Sequence, residues 1–136
     1  MHESEAHRYA LDVVHGTQPA SKYTIKACQR YLTDLDTAEE RGLEFRPKTA
    51  AAYIQFFQRA IRHTVGEWDG QPFDPLPWQK FILWNLYGWF REDNTRRFNY
   101  AYITVARKNG KTTLMAGAAL AALFFDQEKA AEVYFA

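Results

Sequence analysis

The chain has 136 residues, 47% hydrophobic and 24% charged, the balance of a globular domain with its own core rather than of a disordered or low-complexity tail. Seventeen Lys and Arg against sixteen Asp and Glu leave a formal net charge of +1, so bulk electrostatics does not mark a nucleic-acid binder and any such contact needs a local patch. The single cysteine, Cys28, excludes an internal disulfide and suits a reducing cytoplasm. The opening MHESEAHRYALD is too charged for a signal peptide, and the longest apolar run, Leu114 to Phe125, has 12 residues against the ~20 that cross a bilayer.

In chain order, Ala6, Tyr9, Ala10, Val13 and Val14 recur at helical spacing until Gly16 and Pro19 stop them. A second helix, with Ser21 as N-cap, carries Cys28, Tyr31, Leu32 and Leu35 on one face; Cys28 on that stripe reads as a small core residue, not a nucleophile. A third begins near Pro47 and shows Ile54, Phe57, Ile61 and Val65 before Gly66. Residues 1–66 thus form a helical lead-in, and 67–136 a second region of different composition.

All four tryptophans lie between Trp68 and Trp89, and ten aromatics fall in the thirty residues from Phe73 to Tyr102. Pro77 is placed to open a fourth helix, Trp78 to about Phe90, apolar nearly all round and therefore expected to be buried. The stretch FNYAYITVA, residues 98–106, is aromatic and β-branched and predicts a central strand. After a polar loop, LMAGAALAALFF predicts a helix with Leu114, Ala118, Ala121 and Phe125 on a shared face, and AEVYFA, residues 131–136, opens a second strand. Strand, loop, helix, strand is the start of a βαβ unit. The fold class expected is therefore α/β, the beginning of a P-loop NTPase preceded by a helical N-terminal region.

The loop, RKNGKTT at residues 107–113, carries the candidate chemistry. A phosphate-binding loop needs a turn whose backbone approaches an anion, a lysine for the β and γ phosphates, and a hydroxyl on Mg²⁺. Gly110, Lys111 and Thr112 supply these in order, and a helix from Lys111 onward points its positive end at the phosphates. Gly-Lys-Ser/Thr alone arises by chance in roughly 5 to 10% of chains this long; its place between strand and helix is the stronger signal. The first glycine of G-x-x-x-x-G-K-[ST] is replaced by Val105, and Arg107 and Lys108 add two cations.

With that departure, ARKNGKTT resembles the Walker A loop of the large terminase subunit of tailed bacteriophages, the ATP-driven motor that packages DNA into the capsid. GEWDGQPFDPLPWQKFILWNLYGW, residues 66–89, resembles the segment before that loop, and ACQRYLTDL agrees more loosely. The resemblance implies ATP and Mg²⁺ as cofactors, held by Lys108, Asn109, Gly110, Lys111, Thr112 and Thr113, with the Thr112 hydroxyl on the metal. It implies that Arg107 stabilises phosphate charge in cis as a catalytic residue and that Gln79 reads the adenine edge, to which an amide can donate and accept together. It also implies the rest of the large subunit, the small terminase subunit, the portal and double-stranded DNA as partners, no membrane, and the cytoplasm of a bacterial host.

A second acidic strand that would complete ATP hydrolysis is not evident. Asp126 follows four apolar residues but lies fifteen residues past Lys111 on the same predicted helix, roughly 22 Å along its axis at about 1.5 Å per residue. The expectation is an N-terminal fragment of a longer terminase that neither turns over ATP nor cuts DNA alone. The rival reading makes the lead-in a docking module for the small subunit, the portal or DNA, with a vestigial loop; an unrelated P-loop kinase or transporter ATPase fits the missing first glycine poorly. Four histidines without metal-ligand spacing argue against a metal site of their own. Arg91, Arg96, Arg97 and Arg107 could strip along DNA phosphates, though charges flanking a strand are more often solvated. The aromatic block reads as core, in part facing the rest of a larger protein.

Overall fold

The computed structural model describes residues 4–63, 67 and 69–125. Helix α1, Glu5–His15, starts where the Ser4 hydroxyl accepts the His7 N–H and stops at Gly16, whose φ of +83° admits the left-handed cap that a side chain resists. Helix α2, Lys22–Thr37, is capped by Ser21, which accepts the Thr24 N–H, and buries Cys28, Tyr31 and Asp34 on the expected face. Proline at the first helical position opens both α3, Pro47–Ala60, and α4, Pro77–Gly88, where a missing N–H costs nothing. Helix α5 is Lys111–Phe125.

Three expectations change. Helix α3 stops at Ala60, before Ile61 and Val65: the Ile61 backbone turns extended, and the chain instead hydrogen-bonds Phe73 N–H to the Ile61 carbonyl and His63 N–H to that of Gln71. Val65 and Gly66 lie outside the described residues. Helix α4 ends at Gly88 rather than near Phe90, because Trp89–Arg91 forms strand β2, antiparallel to β1, Leu43–Phe45, with Phe45 opposite Trp89. A Cβ on Gly88 would sit 2.3 Å from the Phe45 ring, so a hydrogen atom is needed there. Finally, residues 98–106 form no strand: they have no ladder partner among the described residues, and the second predicted strand, 131–136, lies outside them. A strand is a relation between two chain segments, and an apolar, β-branched stretch alone does not make one. The described architecture is mixed: five helices and a two-stranded antiparallel sheet.

Two apolar clusters hold it together. One joins Ala6, Ala10 and Val13 of α1 to Cys28 and Tyr31 of α2, Ala50 of α3, Phe81 and Trp84 of α4, and Trp89. The other joins Tyr53 and Phe57 of α3 to Phe73, Leu83 and Tyr87, and to Leu114 and Ala121 of α5. As the apolar composition of α4 predicts, no residue from Trp78 to Phe90 is exposed.

Buried polar groups are matched. Lys80, nearly enclosed in the first turn of α4, lies 2.8 Å from Glu5 and 3.1 Å from Asp74, which also accepts a bond from Gln58 of α3. Burial disfavours the Lys80 ammonium, and its bonds to Glu5 and Asp74 more than offset this, leaving its pKa above the ordinary lysine value. Asp34, buried on α2, holds both Arg41 and Arg97, the latter at 2.6 Å across 63 residues of sequence. Tyr31 accepts the Trp84 indole N–H at 2.9 Å beneath His7.

Candidate nucleotide site

The phosphate-loop candidate sits where α5 begins. The Leu114 N–H bonds the Gly110 carbonyl at 2.9 Å, the first turn of the helix, and the fully buried Leu114 side chain anchors that turn to the core. Gly110 has φ +72° and Lys108 φ +65°. The left-handed region is natural for glycine but costs a lysine about 1 kcal/mol or more, so the loop is held in a shape that its own residues do not all prefer.

Arg107, Lys108, Asn109, Gly110, Lys111 and Thr112 are exposed, and Thr113 is half-buried. No carboxylate among the described residues is within ion-pair distance of Arg107, Lys108 or Lys111. Three uncompensated cations therefore flank the positive end of a 15-residue helix, an arrangement that repels itself and favours a polyanion.

Gln79 comes to this loop from α4. It is 2% exposed; its Oε1 accepts the Leu76 N–H at 2.8 Å, closing the first turn of α4, while its Nε2 lies 3.5 Å from the Asn109 carbonyl. A Cβ on Gly110 would stand 3.3 Å from that same nitrogen, so glycine lets the loop close on the amide. Both amide atoms keep one further hydrogen-bonding position. Residues thirty apart in sequence, singled out separately as phosphate and base contacts, are thus brought together.

Other residues that place α5 were not legible beforehand. The Tyr87 hydroxyl donates to the Ala118 carbonyl at 3.0 Å, and Tyr87 stacks on Tyr53 with ring centres 3.9 Å apart. Burial raises the Tyr87 pKa and the nearby Arg96 guanidinium opposes it without reversing the direction, so the phenol remains a donor. Gly117 meets Phe57: an added Cβ would be 2.3 Å from its ring. A lone glycine in an alanine-rich helix was the only signal, and it named no partner.

Two of the four arginines considered as a DNA strip are otherwise engaged. Arg97 is 13% exposed, pairs with Asp34 and lies over the Trp89 and Phe98 rings. Arg96 lies over Tyr53 and Tyr87, leaving Arg91 and Arg107 as the exposed members. The aromatic block divides as expected: Phe73, Phe81, Trp84, Tyr87 and Trp89 are core, whereas Tyr100 and Tyr102 are 94% and 95% exposed. Among the described residues no cluster of His, Cys, Asp or Glu could hold a metal by itself, and no helix is long and apolar enough to cross a membrane. Asp126 lies outside the described residues.

Comparison with known proteins adds one finding. The family model described as terminase large subunit, ATPase domain, matches residues 77–136. The match opens at the first residue of α4 and takes in Gln79 and the whole loop from Arg107 to Thr113. No curated protein and no solved structure matches the chain. Over residues 77–136, 60 of its 136, the chain is similar to terminase large-subunit ATPase domains.

Proposed function

We propose that the loop and Gln79 form the ATP-binding half-site of a phage DNA-packaging motor subunit. The observation that carries this reading is the set of uncompensated cations Arg107, Lys108 and Lys111 at the start of α5, with the Gln79 amide against the same loop. The family supports a DNA-packaging motor component and nucleotide binding in general; the residue roles are ours. Lys111 and the backbone of Asn109 and Gly110 take the β and γ phosphates, Thr112 offers its hydroxyl to Mg²⁺, and Thr113 lines the helix side. Lys108 and Arg107 neutralise phosphate charge, Arg107 as the residue that gains most as charge builds on the transferred phosphoryl group. Gln79 turns its remaining donor and acceptor positions to the adenine edge. A bound Mg²⁺ would supply charge neutralisation between the phosphates. The rest of the large subunit, the small subunit, the portal and duplex DNA are the partners this role calls for, in the cytoplasm of a bacterial host.

Equilibrium binding of a fluorescent ATP analogue with Mg²⁺ tests the proposal. Lys111→Ala is expected to weaken binding at least ~10-fold, the scale of one lost charge-assisted contact, with the fold unchanged. No binding at high micromolar nucleotide, or equal binding by Lys111→Ala, would overturn it in favour of a docking module built on the helical lead-in.

A further inference from the structure

We infer that Asn109 is a site of spontaneous deamidation, open while the loop is empty and closed by bound nucleotide; the closing rests on the ATP-binding reading above. In this reaction the backbone nitrogen of the following residue loses its proton and attacks the side-chain amide carbon. A bond from the Gly110 nitrogen to the Asn109 Cγ forms, the Cγ–Nδ2 bond breaks, and the amide leaves as ammonia, carrying the proton. Water then opens the cyclic imide to aspartate or isoaspartate, so a neutral side chain becomes an anion. Water is the one co-reactant, and nothing is oxidised or reduced.

Sequence and structure favour the reaction at this position together. Glycine follows Asn109; having no side chain, it neither shields its own nitrogen nor resists the rotation that brings nitrogen to carbon. Asn109 is exposed, its side chain makes no hydrogen bond among the described residues, and the Gly110 N–H donates to none of them. The uncompensated cations Arg107, Lys108 and Lys111 and the positive end of α5 surround the reacting atoms, so the anionic nitrogen and the oxyanion it generates are stabilised. The other three asparagines lack this combination. Asn85 donates to the Phe81 carbonyl and accepts the Trp89 indole N–H. Asn94 accepts a bond from Arg46 at 2.6 Å, and the Thr95 N–H beyond it is held by the Asp93 carboxylate. Asn99 is exposed, but the bulky Tyr100 follows it. Asp69-Gly70 could close the same ring by losing water, yet the Gly70 N–H is committed to the His63 carbonyl at 2.8 Å.

The consequence for the site is electrostatic and steric. A carboxylate at 109 offsets one of the three loop cations and repels a polyphosphate, and isoaspartate also lengthens the main chain within a turn whose shape depends on positive φ at Lys108 and Gly110. Nucleotide closes the route. In the reading above the Gly110 N–H donates to a phosphate oxygen, so it is withheld from hydroxide, and the phosphates neutralise the cations that favoured attack. Because the released ammonia does not return, a loop left empty is progressively lost as a nucleotide site, and a loop kept filled is preserved.

The test is mass spectrometry of the full chain incubated at neutral and mildly alkaline pH, with peptic digestion in acid to stop the reaction. The peptide spanning 103–114 should gain the mass difference between water and ammonia at least ~10-fold faster than the peptide carrying Asn99. The rate should rise about tenfold per pH unit, as hydroxide does. Asn109→Gln, whose ring would need one more atom, should keep its mass. A non-hydrolysable ATP analogue with Mg²⁺ at about ten times its Kd should slow the change about 10-fold, and Asn109→Asp should weaken analogue binding at least ~10-fold. A rate at Asn109 no greater than at Asn99 would overturn the site, and an unslowed rate with the analogue shown to be bound by anisotropy would overturn the protection. If the analogue does not bind at all, the nucleotide reading and the protection fall together, while the mass change still decides the site.

Discussion

Gly117 shows how much of this protein is settled by single atoms. Its hydrogen faces Phe57 where a methyl group would be 2.3 Å from the ring, far inside van der Waals contact, and neither α3 nor α5 can retreat without uncovering Leu114 and Ala121. Gly117→Ala should destabilise the chain by about 1–3 kcal/mol through overpacking, even though alanine is the better helix former by about 1 kcal/mol. Urea midpoints will read this, and Phe57→Leu in the same chain should recover part of the loss by making room. Cys28 is the second residue-scale case. Burial pushes its thiol up to about 11 from an ordinary value of 9.0, so at pH 8 the folded chain holds about a hundredfold less thiolate than the unfolded one. Alkylation by iodoacetamide should be at least that much slower until denaturant is added. Because the unfolded thiol ionises first, stability should fall as pH rises from about 9 towards 11. The sequence reading of Cys28 as core was sound because a small apolar side chain on a helical stripe has one natural environment; Gly117 gave no comparable sign, since a missing side chain does not say what presses on it.

At the scale of elements, helix starts were legible because capping is local chemistry: Ser21 caps α2, and the prolines at 47 and 77 open α3 and α4. Short strands were not, since the three residues of β1 or β2 are too few to show a period, and their pairing joins segments more than forty residues apart. The end of α3 was misread for the same reason: apolar spacing ran on through Ile61, while the backbone bonds that took it out of the helix came from residues 71–73. The tie between α2 and the chain leaving β2 is also non-local. Asp34 sits 2.6 Å from Arg97 and also pairs with Arg41, and Asp34→Ala would leave the largely enclosed Arg97 guanidinium without its counter-charge. A loss of about 3 kcal/mol is expected, the lower end of the range for breaking a buried pair because half-exposed Arg41 can turn to water. Denaturant titration will show it, and Asp34→Leu/Arg97→Met should be less damaging than Asp34→Ala, since it removes the stranded charge as well as the pair.

For the whole molecule, the candidate site was visible as a string of residue types, 107–113, but not as a place. What assembles it is Gln79 reaching the Asn109 carbonyl and Tyr87 holding the Ala118 carbonyl, both from α4 and both invisible to any local pattern. The resemblance supplied Gln79 in advance; its burial and its double attachment came only with the fold. Of the arginines from 91 to 107, read from sequence as more often solvated than a DNA strip, Arg96 and Arg97 are engaged by aromatic rings and Asp34, partners that no local pattern names.

Helix α4 also lies between the two apolar clusters, giving Phe81 and Trp84 to one and Leu83 and Tyr87 to the other within two turns. Neither cluster can open to water without stripping one side of a helix that the other cluster needs intact. The lead-in helices and the phosphate-loop helix therefore share one melting event, and damage to either is felt as the loss of both.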